Sequence, residues 1–183
     1  MNRAVLLLLL LNFAAIGALP AVFFESHGGF NRMWWLTAAP FFLCPVFLIA
    51  SYIGTLSPFT SGQSFLRDLS ELAAVCFSAL SLALLGFTLG SHRIPIALWH
   101  QESDTPRQIV TYGAYRRIRH PFYASFLLAF VGVFLFAPHL ATASTLVYAC
   151  VMLNSTAAKE ESRLRSSVFG SEYETYMHAT GRF

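Results

Sequence analysis

The chain has 183 residues, of which 56% are hydrophobic and only 11% are charged. A soluble domain has about 25% charged residues, so this chain has too few polar side chains to cover a water-soluble surface. We therefore expect a single membrane domain over residues 1–183. The formal net charge of +3 comes from twelve basic and nine acidic residues. That excess is too small for a phosphate-binding face, which argues against nucleic acid as a partner.

The cysteines and histidines do not form the pattern of a metal site. Cys44, Cys76 and Cys150 lie far apart in apolar runs, where a free thiol behaves as a small hydrophobic side chain. None of the six histidines pairs with another at the helical spacing by which membrane di-iron enzymes hold metal. We expect no disulfide, no metal and no catalytic thiol.

Five apolar stretches approach the roughly 20 residues that a helix needs to cross about 30 Å of hydrocarbon. They predict an all-α membrane protein with about five transmembrane helices, at 4–24, 33–53, 69–89, 121–137 and 140–158. The first could instead be a signal peptide, but its apolar run passes the candidate cleavage site near Ala18, so we expect a retained helix. Asp68 followed by Glu71 is a capping-box pattern, which places the start of the third helix at Leu69.

Only Pro138 and His139 separate the last two stretches, which predicts a tight helical hairpin. The first arm is short for a full crossing, so we expect it to be tilted, kinked or partly re-entrant. The second arm is expected to continue as a helix through Lys159, Glu160 and Arg163 into water.

Basic residues in the loops predict the orientation of the chain. They are concentrated in the loop 90–120 and in the tail, whereas the loop 54–68 contains only Arg67. By the positive-inside rule, the loop 90–120 and the carboxy terminus face the cytoplasm and the amino terminus lies outside. The basic residues concerned are Arg93, Arg107, Arg116, Arg117, Arg119, Lys159, Arg163, Arg165 and Arg182. We expect the membrane to be the inner membrane.

A polar stretch at 112–123 leads into the hairpin. Proline is favoured at the first position of a helix, so Pro121 places Arg119 and His120 at the amino-terminal mouth of the first arm. Unpaired backbone N–H groups and the positive end of the helix dipole make such a mouth suitable for an anion. Tyr123 lies two residues further, with its hydroxyl able to reach the mouth.

A second polar stretch, 159–176, follows the hairpin. Because a hairpin returns its second arm to the side that it left, Glu160 and Glu161 are expected beside the mouth of the first arm. Neighbouring helical residues point about 100° apart, so only one of these glutamates can face a pocket. We favour Glu161, which shares a helix face with Asn154, and expect the other glutamate to be structural. Either glutamate could instead form a surface ion pair, Glu160 with Arg163 or Glu161 with Arg165.

The end of the chain predicts a cytoplasmic helical cap. Ser171 followed by Glu174 is a second capping-box pattern, so a short helix is expected from residue 172 to about 179, ending near Gly181. Tyr173 and Tyr176 share a face of that helix and are expected to pack the cap. Basic residues at the amino-terminal end of a helix, beside two carboxylates and several aromatic rings, suit the binding of a small zwitterion that carries hydroxyl groups.

The two polar stretches together contain a recognisable set of motifs. These are Ile109-Val110-Thr111, Gly113, Tyr115, Arg119-His120-Pro121, Tyr123, Glu160-Glu161, Leu164, Phe169-Gly170, Tyr173, Tyr176 and Gly181-Arg182-Phe183. In this combination, residues 109–183 resemble the isoprenylcysteine carboxyl methyltransferase and phospholipid methyltransferase superfamily of integral membrane enzymes. The resemblance implies S-adenosyl-L-methionine as cofactor, a pocket covered by the carboxy-terminal segment, and a lipid-like or amphiphilic acceptor entering from the bilayer.

The resemblance also implies the residues of the cofactor site. By position, His120 and Tyr123 belong to it, Glu160 or Glu161 completes it, and Tyr115 and Arg119 are further candidates. The implied chemistry is an in-line displacement at the sulfonium methyl, for which the protein aligns the reactants and excludes water. A carboxylate acceptor needs no base, whereas an amine or thiol must lose a proton, and the sequence identifies no catalytic base.

Two other functions stay open. Membrane sterol-type reductases share an Arg-His-Pro segment and use NADPH, but they commonly have Asn where this chain has Phe122, and the paired glutamates favour methyl transfer. In a non-catalytic membrane subunit, the polar stretches would serve only topology and headgroup contacts. The sequence leaves open the identity of the acceptor and the oligomeric state.

Overall fold

The structure is a computed structural model that describes residues 1–19, 24, 28–59, 64–91 and 109–183. Within these residues the chain is all-helical, as predicted, with six α-helices, one 3₁₀ turn and no strand. The elements are α1 Arg3–Gly17, α2 Arg32–Tyr52, α3 Ser64–Ser91, a 3₁₀ turn Gly113–Arg116, α4 Pro121–Phe136, α5 Leu140–Arg165 and α6 Gly170–Ala179. Arg93 and Arg107, which contributed to the predicted orientation, lie outside the described residues.

Three of these helices are long and apolar enough to cross a membrane. They are Trp34–Tyr52, Ser64–Ser91 and Leu140–Arg165. The other two apolar helices are shorter, with 15 residues in α1 and 16 in α4. The chain therefore has the helices of a membrane protein. α5 extends to Arg165, so its predicted continuation through residue 163 is confirmed.

Helix α4 is the central helix of the bundle. It contacts α1, α2, α3 and α5, and Phe126, Ala129, Phe130 and Val133 are fully or almost fully buried. A helix with protein on most of its sides is apolar all round, as the sequence of α4 is. Pro121, Phe122 and Tyr123, at the amino-terminal end of α4, are buried as well, and the candidate site lies at that end.

The ends of three helices differ from the prediction. α1 ends at Gly17, and Phe24 forms an isolated bridge with Phe30 instead of continuing the helix. α3 begins at Ser64, five residues before the predicted start, so Asp68 and Glu71 lie inside the helix. Glu71 does not cap α3, because its Oε2 accepts a hydrogen bond from the backbone N–H of Asn2 (3.0 Å) in front of α1.

The predicted start of α6 is also wrong. α6 begins at Gly170 behind Phe169, which makes no side-chain cap, so the Ser171–Glu174 capping box does not form. The reason is the tight turn after α5: a Cβ atom on Gly170 would lie 2.4 Å from the carbonyl oxygen of Arg165. The glycine thus sets the start of α6 by permitting this close approach.

A neutral polar network joins three apolar helices inside the bundle. We call Asn12, Ser78, Ser81 and Ser125 the Asn12 network. Asn12 Nδ2 donates to Ser78 Oγ (3.1 Å) and to the Ser78 carbonyl (3.2 Å), and Ser81 Oγ donates to the Ser125 carbonyl (2.7 Å). These bonds satisfy the fully buried side chain of Asn12 and run from α1 through α3 to α4.

Helices α3 and α4 run antiparallel, which defines two ends of the bundle. Ser70 of α3 donates to the carbonyl of Leu135, near the end of α4. At the other end of α3, Ser91 Oγ accepts the N–H of Ala114 (3.1 Å), shortly before α4 begins. The candidate site lies at the Ser91 end, and the turn between α4 and α5 lies at the opposite end.

Candidate functional site

The approach to α4 depends on a glycine that contacts the end of α3. Gly113 has a φ of +63°, and a Cβ atom built on it would lie 2.0 Å from Ser91 Oγ. Only glycine combines this left-handed backbone with so close an approach. The following 3₁₀ turn is thereby fixed against α3 and directs residues 117–120 toward the start of α4.

The carboxy-terminal residues pair with this approach segment through the backbone. Ile118 and Gly181 form an isolated parallel bridge, in which the N–H of Gly181 donates to the carbonyl of Arg117 (3.1 Å). The N–H of Arg119 donates to Gly181 (2.9 Å), and that of His120 donates to Arg182 (3.0 Å). The N–H groups of Arg119 and His120 are therefore bonded to the chain terminus and do not contribute to an anion site.

Glu161 is the centre of an ion-pair cluster. Its side chain is only 3% exposed. Oε1 accepts from Arg119 Nε (2.9 Å) and Arg182 Nε (3.1 Å) and lies 3.2 Å from His120 Nε2, while Oε2 accepts from Arg182 Nη2 (2.6 Å). We call Arg119, His120, Tyr123, Glu160, Glu161 and Arg182 the charged cluster. Two guanidinium groups compensate the buried carboxylate, which is the condition under which such a charge is stable.

The two arginines also connect the helices around Glu161. Arg119 Nη1 donates to the carbonyls of Met177 (3.1 Å) and Thr180, at the carboxy-terminal end of α6. Cations are favoured there because unpaired carbonyls carry partial negative charge. Arg182 Nη1 donates to Asn154 Oδ1 on α5 (2.8 Å). The arginines thus hold α6 and the chain terminus against α5.

Glu160 lies beside Glu161 but has a different environment. Its side chain is 24% exposed. Oε1 accepts a hydrogen bond from the Tyr123 hydroxyl (2.6 Å), and Oε2 lies 3.5 Å from His120 Nδ1. The His120 and Tyr123 rings are parallel within 2° at a centroid distance of 5.4 Å. Both ring nitrogens of His120 therefore face carboxylate oxygens, one from each glutamate.

Three tyrosines border the charged cluster on the side of α6. The Tyr176 hydroxyl donates to the carbonyl of Tyr115 (2.6 Å), and the Tyr173 ring lies 5.8 Å from that of Tyr176. Burial raises the pKa of Tyr176 to about 12. Burial also raises the pKa of Tyr115, with smaller contributions from Tyr176 and Glu160. These phenols are neutral near pH 7, so Tyr176 remains a donor and ties α6 to the 3₁₀ turn.

The structure brings all six predicted site residues to one end of the bundle. His120 contacts Tyr123 and both glutamates, and Tyr123 also contacts Glu160. Arg119 joins them through Glu161, and Tyr115 lies in the 3₁₀ turn before them, where its carbonyl accepts from the Tyr176 hydroxyl. His120 and Glu161 are in direct contact, so no space for a ligand lies between these two side chains. Glu161 is not a surface residue paired with Arg165, because its partners are Arg119 and Arg182.

Sequence analysis missed one member of the charged cluster. Arg182 was interpreted as a basic residue that sets topology and as part of the Gly-Arg-Phe ending, and it was not assigned to the site, although it makes two hydrogen bonds to Glu161. Two signals were present: the Gly181-Arg182-Phe183 ending, and the position of Asn154 on the same helix face as Glu161. A buried carboxylate next to an amide on one face requires cationic partners, and the chain terminus supplies one.

Comparisons of this chain with protein-family models, with curated proteins and with solved structures find no match.

Proposed function

We propose that this protein is a membrane methyltransferase that uses S-adenosyl-L-methionine and methylates a lipophilic or amphiphilic small acceptor. The observation that carries the proposal is the charged cluster. The Arg-His-Pro segment, the paired glutamates and the Gly-Arg-Phe ending are the motifs by which residues 109–183 resemble the methyltransferase superfamily. In the folded chain these distant motifs make contacts with one another at a single site.

The cluster fits such a cofactor best if the two glutamates have separate roles. Glu161 has both oxygens bonded to arginines, so we assign it to holding the chain terminus, which reverses the role that the sequence favoured for it. Glu160 is partly exposed and has only Tyr123 and His120 as neighbours in the charged cluster, so its carboxylate can accept further donors. We therefore assign Glu160 to the ammonium or ribose hydroxyl groups of the cofactor. Arg119 donates to Glu161 and to a carbonyl at the end of α6, so we assign it to positioning these elements and not to contacting the cofactor.

The remaining residues suit the apolar and cationic parts of the ligand. The ring of Tyr115, which is only partly buried, can contact a sulfonium or a base, since aromatic rings attract cations through their quadrupole. Tyr123 is buried with its ring stacked on His120, so we assign it to holding Glu160 through its hydroxyl group. When bound, the cofactor supplies an electrophilic methyl group on sulfonium sulfur. The chain contributes orientation and exclusion of water, which is how a protein promotes a displacement between two bound reactants.

We also propose the finer membrane arrangement expected from the sequence. In it, α1 and α4 cross with the three longer helices, α4 and α5 form the hairpin, and the charged cluster faces the cytoplasm at the inner membrane. The support is that α4 is shielded by four other helices, so its 16 residues need not match the bilayer by themselves.

A thermal-shift measurement of the purified protein in detergent tests the proposed cofactor. S-adenosylhomocysteine at a hundredfold excess over its Kd should raise the melting temperature by about 5 °C or more, whereas NADPH should not. Glu160→Gln should remove most of this shift while leaving the unliganded melting temperature nearly unchanged. The matched control is Glu174→Gln, the same change at an exposed position of α6, which should keep the full shift.

The opposite outcomes contradict the proposal in different ways. Stabilisation by NADPH and not by S-adenosylhomocysteine would indicate a reductase. No response to either ligand, together with no label transferred from methyl-labelled cofactor to a host lipid extract, would favour a non-catalytic subunit. Identification of the labelled product would name the acceptor.

A further inference from the structure

A second polar region lies at the end of the bundle opposite the charged cluster. Arg67 lies near the start of α3 and Ser91 near its other end, so at 1.5 Å per residue they are about 36 Å apart. The turn between α4 and α5 belongs to the Arg67 end, because the N–H of Phe59 donates to the carbonyl of Pro138 (2.7 Å). None of the residues that we assign to methyl transfer lies in this region.

This region contains a cavity of about 230 Å³. α2 ends beside it with Gly54 at a φ of +84°, and the N–H of Thr55 donates back to the carbonyl of Ala50 (2.9 Å). A glycine with this left-handed backbone ends the helix and fixes the direction of the loop that follows it. The cavity is smaller than the roughly 300–1,000 Å³ of sites that enclose a whole small molecule, so it suits a headgroup. It is lined by Met1, Ser51, Tyr52, Gly54, Leu56, Ser57, Pro58 and Arg67.

Ser51 has a buried hydroxyl group that lacks a partner. The residue is 3% exposed, and its Oγ makes no hydrogen bond within the part of the chain that the structure describes. Buried hydroxyls in native proteins are almost always bonded, so an orphan in a cavity wall points to an atom of a ligand or of water. The unpartnered hydroxyl of Ser51 therefore supports a bound ligand independently of the shape of the cavity.

The charge of the cavity favours an anion. Among the described residues that line it, Arg67 has a cationic side chain and none is acidic. Glu71 lies one turn further along α3, where its Oε2 accepts the N–H of Asn2 (3.0 Å) and its Oε1 lies 3.8 Å from the amino-terminal nitrogen of Met1. The Glu71 carboxylate is therefore already paired with the Met1 ammonium group. α1, α3 and α5 begin at this end, whereas α2 and α4 end here, so the helix dipoles largely offset one another and Arg67 supplies the positive charge.

The surroundings of the cavity indicate the source of the anion. Exposed apolar side chains adjoin the lining residues in sequence: Ile53 follows Tyr52, and Phe65 and Leu66 precede Arg67, with exposures of 65%, 74% and 47%. α2 and α3 are both long and apolar enough to span a membrane. A polar cavity at the ends of two such helices, next to apolar side chains, lies where a lipid headgroup meets its chains.

We propose that this cavity binds the phosphate group of a membrane phospholipid, with Arg67 as the cationic partner and Ser51 as a hydroxyl donor. The acyl chains lie against the apolar side chains of α2 and α3. The site is separate from the charged cluster, and the proposal holds whether or not the chain transfers methyl groups.

Native mass spectrometry of the full chain in maltoside detergent tests the proposal. The probes are phosphatidylglycerol, diacylglycerol with the same acyl chains, and inorganic phosphate. We expect one high-affinity site for phosphatidylglycerol and no comparable binding of the other two. Arg67→Gln should weaken phosphatidylglycerol binding about tenfold, the effect of losing one hydrogen-bonded charge. Arg32→Gln, the same change at an exposed arginine where α2 begins, should leave it unchanged.

Ser51→Ala separates a ligand contact from a structural role. It should weaken phosphatidylglycerol binding several-fold, yet the melting temperature of the lipid-free protein should stay the same or rise, because an unpaired buried hydroxyl is removed. Equal binding of diacylglycerol would overturn the proposal, as would lipid affinity like that of the unaltered protein in both variants. Binding of inorganic phosphate as tight as that of the lipid would replace a lipid site by a free-phosphate site.

Discussion

The bundle contains two clusters of buried polar side chains that differ in charge and in position. The Asn12 network joins the interior of α1, α3 and α4 with one amide and three serines. The charged cluster lies at the end of α4 and uses two carboxylates, two guanidinium groups and an imidazole. Ions are expensive among apolar helices, whereas neutral polar groups there contribute only modestly. The charged cluster differs from the neutral one in lying where the carboxy-terminal residues supply an arginine to the buried carboxylate.

The largest effect is expected from breaking the compensation inside the charged cluster. Glu161→Gln keeps the shape of the side chain but leaves the Arg119 guanidinium, 9% exposed, without its counter-ion. We expect a loss of about 3 kcal/mol in the free energy of unfolding, as when one partner of a buried ion pair is removed. Denaturant unfolding in detergent measures it.

Glu160→Gln is the matched control for that measurement, because it makes the same change one residue away. Glu160 is 24% exposed, and its neighbours in the charged cluster are a tyrosine and a histidine. We expect a loss below about 1 kcal/mol. Equal losses in the two variants would contradict the assignment of Glu161 as the structural carboxylate.

A smaller effect is expected in the Asn12 network, although Asn12 is fully buried. Asn12→Leu removes both hydrogen bonds to Ser78 and leaves no uncompensated charge. Interhelical hydrogen bonds inside membranes contribute about 0.6 kcal/mol on average, so we expect a loss of about 1 kcal/mol. The same unfolding assay checks this value, and Ser78→Ala should lose less. If Asn12→Leu were more destabilising than Glu161→Gln, the contrast between the two clusters would be wrong.

The smallest effect is expected where α6 meets the 3₁₀ turn. Tyr176→Phe removes the hydrogen bond to the carbonyl of Tyr115 and keeps the ring. We expect a loss of about 0.5–1 kcal/mol, together with faster amide hydrogen exchange confined to α6 and the chain terminus. Tyr112→Phe, at an exposed tyrosine, is the control. Unchanged exchange in α6 would show that this bond does not hold it.

Local patterns in the sequence predicted some helix ends well and others badly. The apolar run of α2 and the proline at the start of α4 placed those ends within one residue of the structure. The capping-box patterns at Asp68–Glu71 and Ser171–Glu174 failed, because Glu71 binds the N–H of Asn2 and Gly170 packs against Arg165. A short pattern describes the bonds that a side chain can make. Which of them forms depends on what else lies within reach.

The amino-acid sequence by itself determined the class of the protein, its helical content and the proximity of the Arg-His-Pro segment to the paired glutamates. The first two follow from apolar composition and from the 3.6-residue period, which are properties of neighbouring residues. The third follows from the two-residue connection, Pro138 and His139, between two apolar runs. Only the tertiary structure decided which glutamate is buried, which arginines pair with it and where Ser51 is left without a partner. Ion pairs and cavities arise between segments distant in the chain, and their geometry depends on how whole helices pack.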